Sequence, residues 1–277
     1  MSYRGLALLI GVGDYEHVGK LSPQPQDDVR KIEASLKSLG FRDEDTTVVL
    51  DGTKRDIAEA VGDVAMRVDG AQKNAATGEK TIVVVYFAGH GMQIPAAAGT
   101  GDNSKNYLIV KDTPLPTKDE GRSSLARYAL DLQTDIIDKL MDFSSEDFLF
   151  VFMLDCCRSN DLMVRSLQAS KILPTTRAGG STSNIAMSSK EFAAQRKGGM
   201  AILYSTEENT VAANDSAFAP IVAGLLRDGT FTIPRLFSKV EDAMRGAQEP
   251  VTHFKMGDAW HDVRWREEEA KVEEVCV

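Results

Sequence analysis

Cys157 and His90 are the side chains of this 277-residue chain whose type and setting suit nucleophilic catalysis. Each stands just past an apolar run. Phe148 to Leu154 (FLFVFML) breaks off into Asp155, Cys156, Cys157 and Arg158, and Thr81 to Phe87 (TIVVVYF) gives way to Ala88, Gly89, His90 and Gly91. A thiolate is a strong nucleophile, and a neighbouring imidazole lowers a thiol's pKa and can return the proton to a leaving amine. Taken singly, a cysteine is more often a small buried hydrophobe, and a loop histidine merely satisfied. Together, at the ends of two such runs, they point to a nucleophile and its base. The glycines flanking His90 allow close backbone approach, and the amides of Gly91 and Cys157 are natural donors to an oxyanion.

Such a pair has to be carried by neighbouring strands. Runs this apolar read as strands buried on both faces, and open α/β sheets form their sites at the carboxyl ends of parallel strands. The rest of the chain fits that frame. Leu6 to Val12 reads as a first strand, and Asp27 to Leu39 as a helix with Val29, Ile32, Leu36 and Leu39 on one face, stopped by Gly40. Thr47 to Leu50 is a second strand. Thr53 caps a helix that turns Ile57, Ala60, Val61, Val64, Ala65 and Val68 inward and gives way to a loop at Gly70. Tyr107 to Val110 is a short strand, and Ile136, Ile137, Leu140 and Met141 mark a helix leading to the strand that ends at Asp155. Met200 to Tyr204 is another strand. Two amphipathic helices follow, around Phe218 to Leu226 and Ile233 to Met244, with a last strand at Pro250 to Phe254. Alternating strands and helices predict an α/β fold with a mostly parallel central sheet and helices on both faces.

Composition narrows the function. A net charge of −9 excludes nucleic acid as the main partner and favours basic ones. Three cysteines, two of them adjacent, predict no disulfide framework and a reducing, cytoplasmic setting. The N-terminal apolar run is too short for a signal-peptide core or a membrane span. Gly11-Val12-Gly13 lacks the third glycine of a dinucleotide loop, since position 16 is Glu. His253 and His261 have no Cys or His partners at zinc spacing. Asp43, Glu44 and Asp45 lack a calcium-loop pattern and read as a solvated face, so no metal or other cofactor is expected, and calcium activation has no motif behind it. Arg165 to Gly199 carries six basic residues and one acid and has no apolar period.

The segments YFAGHGMQ, NYLIVKD and FMLDCCRS resemble those of the caspase-like superfamily of caspases, metacaspases, paracaspases and their bacterial relatives. The resemblance runs in order and spacing from about residue 5 to 255. It implies a caspase-like fold formed by residues 1–277 as one domain: a large-subunit-like region 1–164, a mobile linker 165–199 and a small-subunit-like region 200–277. It implies His90 as base and Cys157, third of the D-x-C run, as nucleophile. Arg158-Ser159-Asn160 departs from the His-Ser-Gly usual in metacaspases and leaves the subfamily open.

The same resemblance speaks to specificity. Caspases cut after aspartate and line that pocket with arginines and a glutamine. The glutamine position, two before the nucleophile, is Asp155 here, and an arginine position after Tyr204-Ser205-Thr206 is Glu207. Asp28 resembles the aspartate that metacaspases place near the pocket. Three carboxylates would bind Arg or Lys by charge-assisted hydrogen bonds. The expectation is a cysteine endopeptidase that cuts protein or peptide substrates after Arg or Lys and can process itself in the linker at Arg177, Lys190, Arg196 or Lys197. The rivals are a catalytically silent interaction module and a peptidase of caspase-type Asp specificity.

Overall fold

The computed structural model describes residues 3–74, 79–94, 105–114, 127–156, 198–206, 217–246 and 250–265. Six strands form the main sheet in the order β2-β1-β3-β7-β8-β9: β1 Tyr3–Gly11, β2 Thr46–Leu50, β3 Lys80–Gly89, β7 Phe148–Cys156, β8 Gly199–Tyr204 and β9 Val251–Lys255. All neighbours are parallel except β8 and β9. The inner strands β1, β3, β7 and β8 are apolar nearly throughout because both faces are covered. Leu8, Val85, Phe87, Phe150, Phe152 and Ile202 face the layer that holds helix α2 (Lys54–Asn74). Leu9, Val84, Tyr86, Val151, Met153 and Leu203 face α1 (Gln24–Ser38), α4 (Phe218–Asp228) and α5 (Ile233–Met244). The period of two along each strand therefore assigns a side chain to one layer or the other.

The predicted helices hold, with shifted ends. α1 begins before Asp27, with a proline in its first turn, where the missing N–H costs nothing. α2 runs through Gly70 to Asn74 instead of stopping there, because Ala71 is buried in the core and the Asn74 amide donates to the Gly70 carbonyl at 2.8 Å. Thr53 caps it as expected: its Oγ1 accepts from Asp56 N, and the Asp56 carboxylate accepts from Thr53 N at 2.9 Å. A π-helical turn, Leu132–Ile137, precedes the short α3 (Asp138–Met141), and α6 (Asp258–His261) lies near the end of the described chain.

A second sheet is absent from the sequence reading. It has three antiparallel strands, β4 Gly91–Ile94, β5 Lys105–Leu108 and β6 Leu130–Asp131. The strand expected at Tyr107 to Val110 is thus displaced towards the N-terminus. Ile109 and Val110 are buried but outside a strand; Ile109 N donates to His90 O at 2.9 Å, and Val110 N to Thr113 Oγ1 at 3.0 Å. Strands of two to four residues carry too little alternation to be legible in sequence. Among the described residues no helix is long and apolar enough to cross a membrane.

Candidate active site

The chain leaves β1 towards β2 on one side and, by way of α2, returns to β3 on the other. The carboxyl ends of β1 and β3 therefore flank a topological switch point, where open α/β sheets place their sites. His90 lies there, directly after β3. The strand that leads to Cys157 is its immediate neighbour: β3 pairs with β7 in a register that sets Ala88 against Asp155 and Gly89 against Cys156. His90 and Cys157 thus each follow a matched pair of residues on adjacent parallel strands. Cys157 itself lies outside the described residues, as do Glu207, Arg177, Lys190, Arg196 and Lys197.

His90 is held on three sides. Its side chain is largely buried, with 8% of the residue exposed. Its backbone N–H donates to the Tyr15 hydroxyl at 2.7 Å, and the two rings pack with centroids 4.8 Å apart. Its Nε2 lies 2.7 Å from the Gly19 carbonyl oxygen. A carbonyl only accepts, so Nε2 carries the proton and the lone pair is on Nδ1. Burial pushes the His90 pKa below 6.5, while the Gly19 carbonyl pulls it back up. Burial thus favours the uncharged ring, the form able to take a proton.

Gly89 is glycine because of Tyr15. Its φ is +155°, and a Cβ there would meet the Tyr15 hydroxyl at 2.6 Å and the Val12 carbonyl at 3.0 Å. Its smallness seats the loop after β1 against His90. The sequence reading assigned both flanking glycines to substrate approach; for Gly89 the close neighbours belong to the chain itself. Gly91 opens β4, is buried, and is in register with Leu108.

Two of the three expected pocket acids lie among the described residues, and both are buried. Asp155 is the last residue but one of β7 and alternates with Val151 and Met153, which pack in the α1 layer. Asp28, 1% exposed, points inward from α1, whose first-turn acid is Asp27; it accepts from Gln24 Nε2 at 2.9 Å and Lys31 Nζ at 2.8 Å. In the same layer, and within electrostatic reach of both, is a residue the sequence reading passed over. Tyr86 is fully buried, two residues before Ala88 on β3, and its hydroxyl has no hydrogen-bond partner among the described residues. Burial raises its pKa well above 10.0, and the charges of Asp155 and Asp28 raise it further. Ser205 Oγ, fully buried beyond β8, is likewise unpartnered among the described residues.

Cys156 belongs elsewhere. It is 3% exposed and packs with Phe152 and Leu154 in the α2 layer, opposite Asp155. Its carbonyl accepts from Thr206 Oγ1 at 3.2 Å, and Ser205 N donates to Leu154 O at 2.9 Å, so the segment after β8 braces the end of β7. Among the described residues no group of three or more His, Cys, Asp or Glu side chains is arranged to hold a metal.

The fold has counterparts among known proteins. Residues 4–259 match the caspase domain family of peptidases. A solved structure of a Geobacter sulfurreducens protein superposes with a TM-score of 0.58 at 13% identity, covering 96% of this chain and 100% of that one. Caspase-1 from Spodoptera frugiperda is matched at a TM-score of 0.49 and 14% identity, over 91% of this chain and 86% of that one. No curated protein matches. The chain belongs to the caspase domain family and has its α/β fold.

Proposed function

We propose that this member of the caspase domain family is a cysteine endopeptidase that hydrolyses peptide bonds after Arg or Lys, with Cys157 as nucleophile and His90 as base. The observation that supports the reading is the register of β3 on β7, with Gly89 opposite Cys156, the residues that immediately precede His90 and Cys157 in sequence. The burial of Cys156 in the α2 layer favours Cys157 of the adjacent pair. In the reaction, His90 Nδ1 takes the thiol proton and the sulfur attacks the carbonyl carbon. The amides of Gly91 and Cys157 receive the oxyanion. Collapse breaks the C–N bond, and His90 returns the proton to the leaving amine. Water, deprotonated by His90, then hydrolyses the thioester and regenerates the thiol. Every proton is carried by the one imidazole.

The preference for a basic side chain rests on Asp28 and Asp155, with Glu207 as the third acid. Lys31 already pairs with Asp28, but its side chain is 41% exposed, so a substrate cation can take its place on the carboxylate. The Tyr86 hydroxyl oxygen is a further acceptor for an ammonium or guanidinium. The basic linker, residues 165–199, supplies the residues such a pocket selects, and self-cleavage at Arg177, Lys190, Arg196 or Lys197 follows from it. We place the protein in the cytoplasm, acting on protein or peptide substrates with basic residues.

The test is a set of fluorogenic peptides that differ only in the residue before the scissile bond. Cleavage after Arg and Lys and none after Asp is expected, and the protein incubated alone should yield two fragments while Cys157→Ala stays whole. Cleavage after Asp alone would establish caspase-type specificity instead. No cleavage of any peptide would leave an interaction module with this fold.

A further inference from the structure

We infer that Asp51, at the end of β2 and remote in sequence from both reactive residues, is a positioning residue for His90. It acts by holding the loop that carries the Gly19 carbonyl. The inference rests on His90 as the base.

Asp51 occupies an unusual place. Its φ is +50°, a conformation that non-glycine residues adopt rarely and Asp and Asn most readily. Its own N–H donates to Gly11 O at 2.8 Å, which fixes it beside the end of β1. Its carboxylate faces the start of the next loop. Oδ1 accepts from Gly13 N at 2.9 Å and Asp14 N at 2.8 Å, and Gln26 Nε2 donates to Oδ1 at 2.9 Å and Oδ2 at 2.7 Å. Burial alone would raise the Asp51 carboxyl pKa, but the Asp14 and Gly13 amides, then Gln26 and the Lys111 charge, hold it below the usual range.

The loop continues the connection to His90. Gly13 O accepts from Leu21 N at 2.8 Å and Ser22 N at 3.1 Å, closing residues 13–22 on themselves. Space for a side chain at Gly13 is lacking, since a Cβ would meet Gln26 Oε1 at 2.8 Å and Ser22 N at 2.9 Å. Gly19 lies inside this closed loop and presents its carbonyl to His90 Nε2; Tyr15, in the same loop, presents its hydroxyl to His90 N. Other ties include Val12 N to Ala88 O, Glu16 N to Lys111 O, Gln26 Nε2 to Ser22 Oγ at 3.4 Å, a surface ion pair of Lys20 with Asp14, and the packing of Tyr15 in the core. Asp14, Tyr15, Glu16, His17 and Lys20 on the loop, and Asp51, His90 and Lys111 against it, are charged or titratable. A carboxylate that takes two consecutive loop amides and a side-chain amide is the strongest polar anchor of the loop. Without it the Gly19 carbonyl is no longer held against Nε2, and the tautomer that leaves Nδ1 basic loses its support.

The test follows the His90 ring in the full-length chain. In Cys157→Ala protein, proton–nitrogen NMR is expected to show one tautomer, protonated at Nε2 with that proton hydrogen-bonded. Asp51→Asn, which tolerates the positive φ but removes the charge, should give mixed tautomers and a lower ring pKa. Gln26→Met, which leaves both backbone amides on Asp51, should not. With Cys157 present, Asp51→Asn should lower kcat about tenfold and leave KM within about twofold, as expected when a catalytic group is misplaced and binding is intact. An unchanged His90 tautomer and ring pKa in folded Asp51→Asn would overturn the inference. If that variant does not fold, amide exchange in the parent decides. Gly13, Asp14, Leu21 and Ser22 should exchange slowly and together, and rapid exchange at Gly13 and Asp14 would overturn it equally. The ring readout does not depend on turnover, so a chain that cleaves no peptide refutes the base assignment without touching the result on Asp51.

Discussion

The two sides of the sheet's carboxyl edge are built differently. The polar groups of His90 itself are matched: the ring N–H has Gly19 O, the backbone N–H has the Tyr15 hydroxyl, and the loop supplying both is tied to Asp51, although Gln26 Oε1 in that anchor has no partner among the described residues. In the layer beneath α1, Asp28 and Asp155 lie near a Tyr86 hydroxyl that has no partner among the described residues, and Ser205 Oγ is in the same position. A buried hydroxyl left without a hydrogen bond costs about 1–3 kcal/mol. A chain tolerates that cost more readily where a ligand will supply the partner. On the proposed function, the contrast would separate a base fixed in advance from acids and a hydroxyl whose arrangement is completed by substrate.

The largest expected effect is on the fixed side. His90→Gln should lower kcat/KM by a factor on the order of 10³, since general acid–base catalysis is lost from both halves of the reaction. The same variant probes stability. The folded His90 pKa lies below 6.5, so between the two values the unfolded chain binds more protons than the folded one. Stability of the parent should therefore fall as pH drops through 6.5, and denaturant titrations should show a shallower fall in His90→Gln. Equal pH slopes would mean that His90 titrates freely and that its seat is looser than the hydrogen bonds indicate.

On the unfilled side the effects are smaller and of opposite sign for stability and binding. Tyr86→Phe removes a buried hydroxyl with no partner among the described residues. It should leave the free protein as stable as the parent or more stable by about 1 kcal/mol. It should raise KM for Arg and Lys peptides about threefold while kcat stays near the parent's. A loss of stability instead would show that the hydroxyl is satisfied in the free protein, and the contrast between the two sides would fail.

The sequence displayed these two sides unequally. Runs such as TIVVVYF and FLFVFML were legible as doubly buried strands because every residue had to be apolar, and the strand ends exposed His90 and Cys157 to a reader. The caspase-like resemblance supplied their order, and the family match across residues 4–259 bears out the family and fold. The seat of His90 was not legible. Apart from the Tyr15 hydroxyl and the Asp51 carboxylate, it consists of backbone carbonyls and amides of Gly13, Gly19, Leu21 and Ser22, groups that a sequence does not single out. Asp51 stood in a sequence of ordinary turn residues, Asp51-Gly52-Thr53, and only its positive φ and its partners distinguish it. Tyr86 was hidden for the opposite reason, as one more large side chain in an apolar run. The short strands β4 and β6 left no periodic trace, while β5 was read two residues too late and the π-helical turn before α3 was read only as helix.

The central claim is that Cys157, not Cys156, is the nucleophile of a site that selects basic side chains. Labelling with an arginyl and an aspartyl chloromethyl ketone, followed by peptide mapping in a mass spectrometer, tests both halves at once. The account predicts that the arginyl reagent modifies Cys157 stoichiometrically, that Cys156 stays unmodified in the folded protein, and that His90→Gln slows the labelling. Modification of Cys156, or of Cys157 by the aspartyl reagent alone, would contradict it.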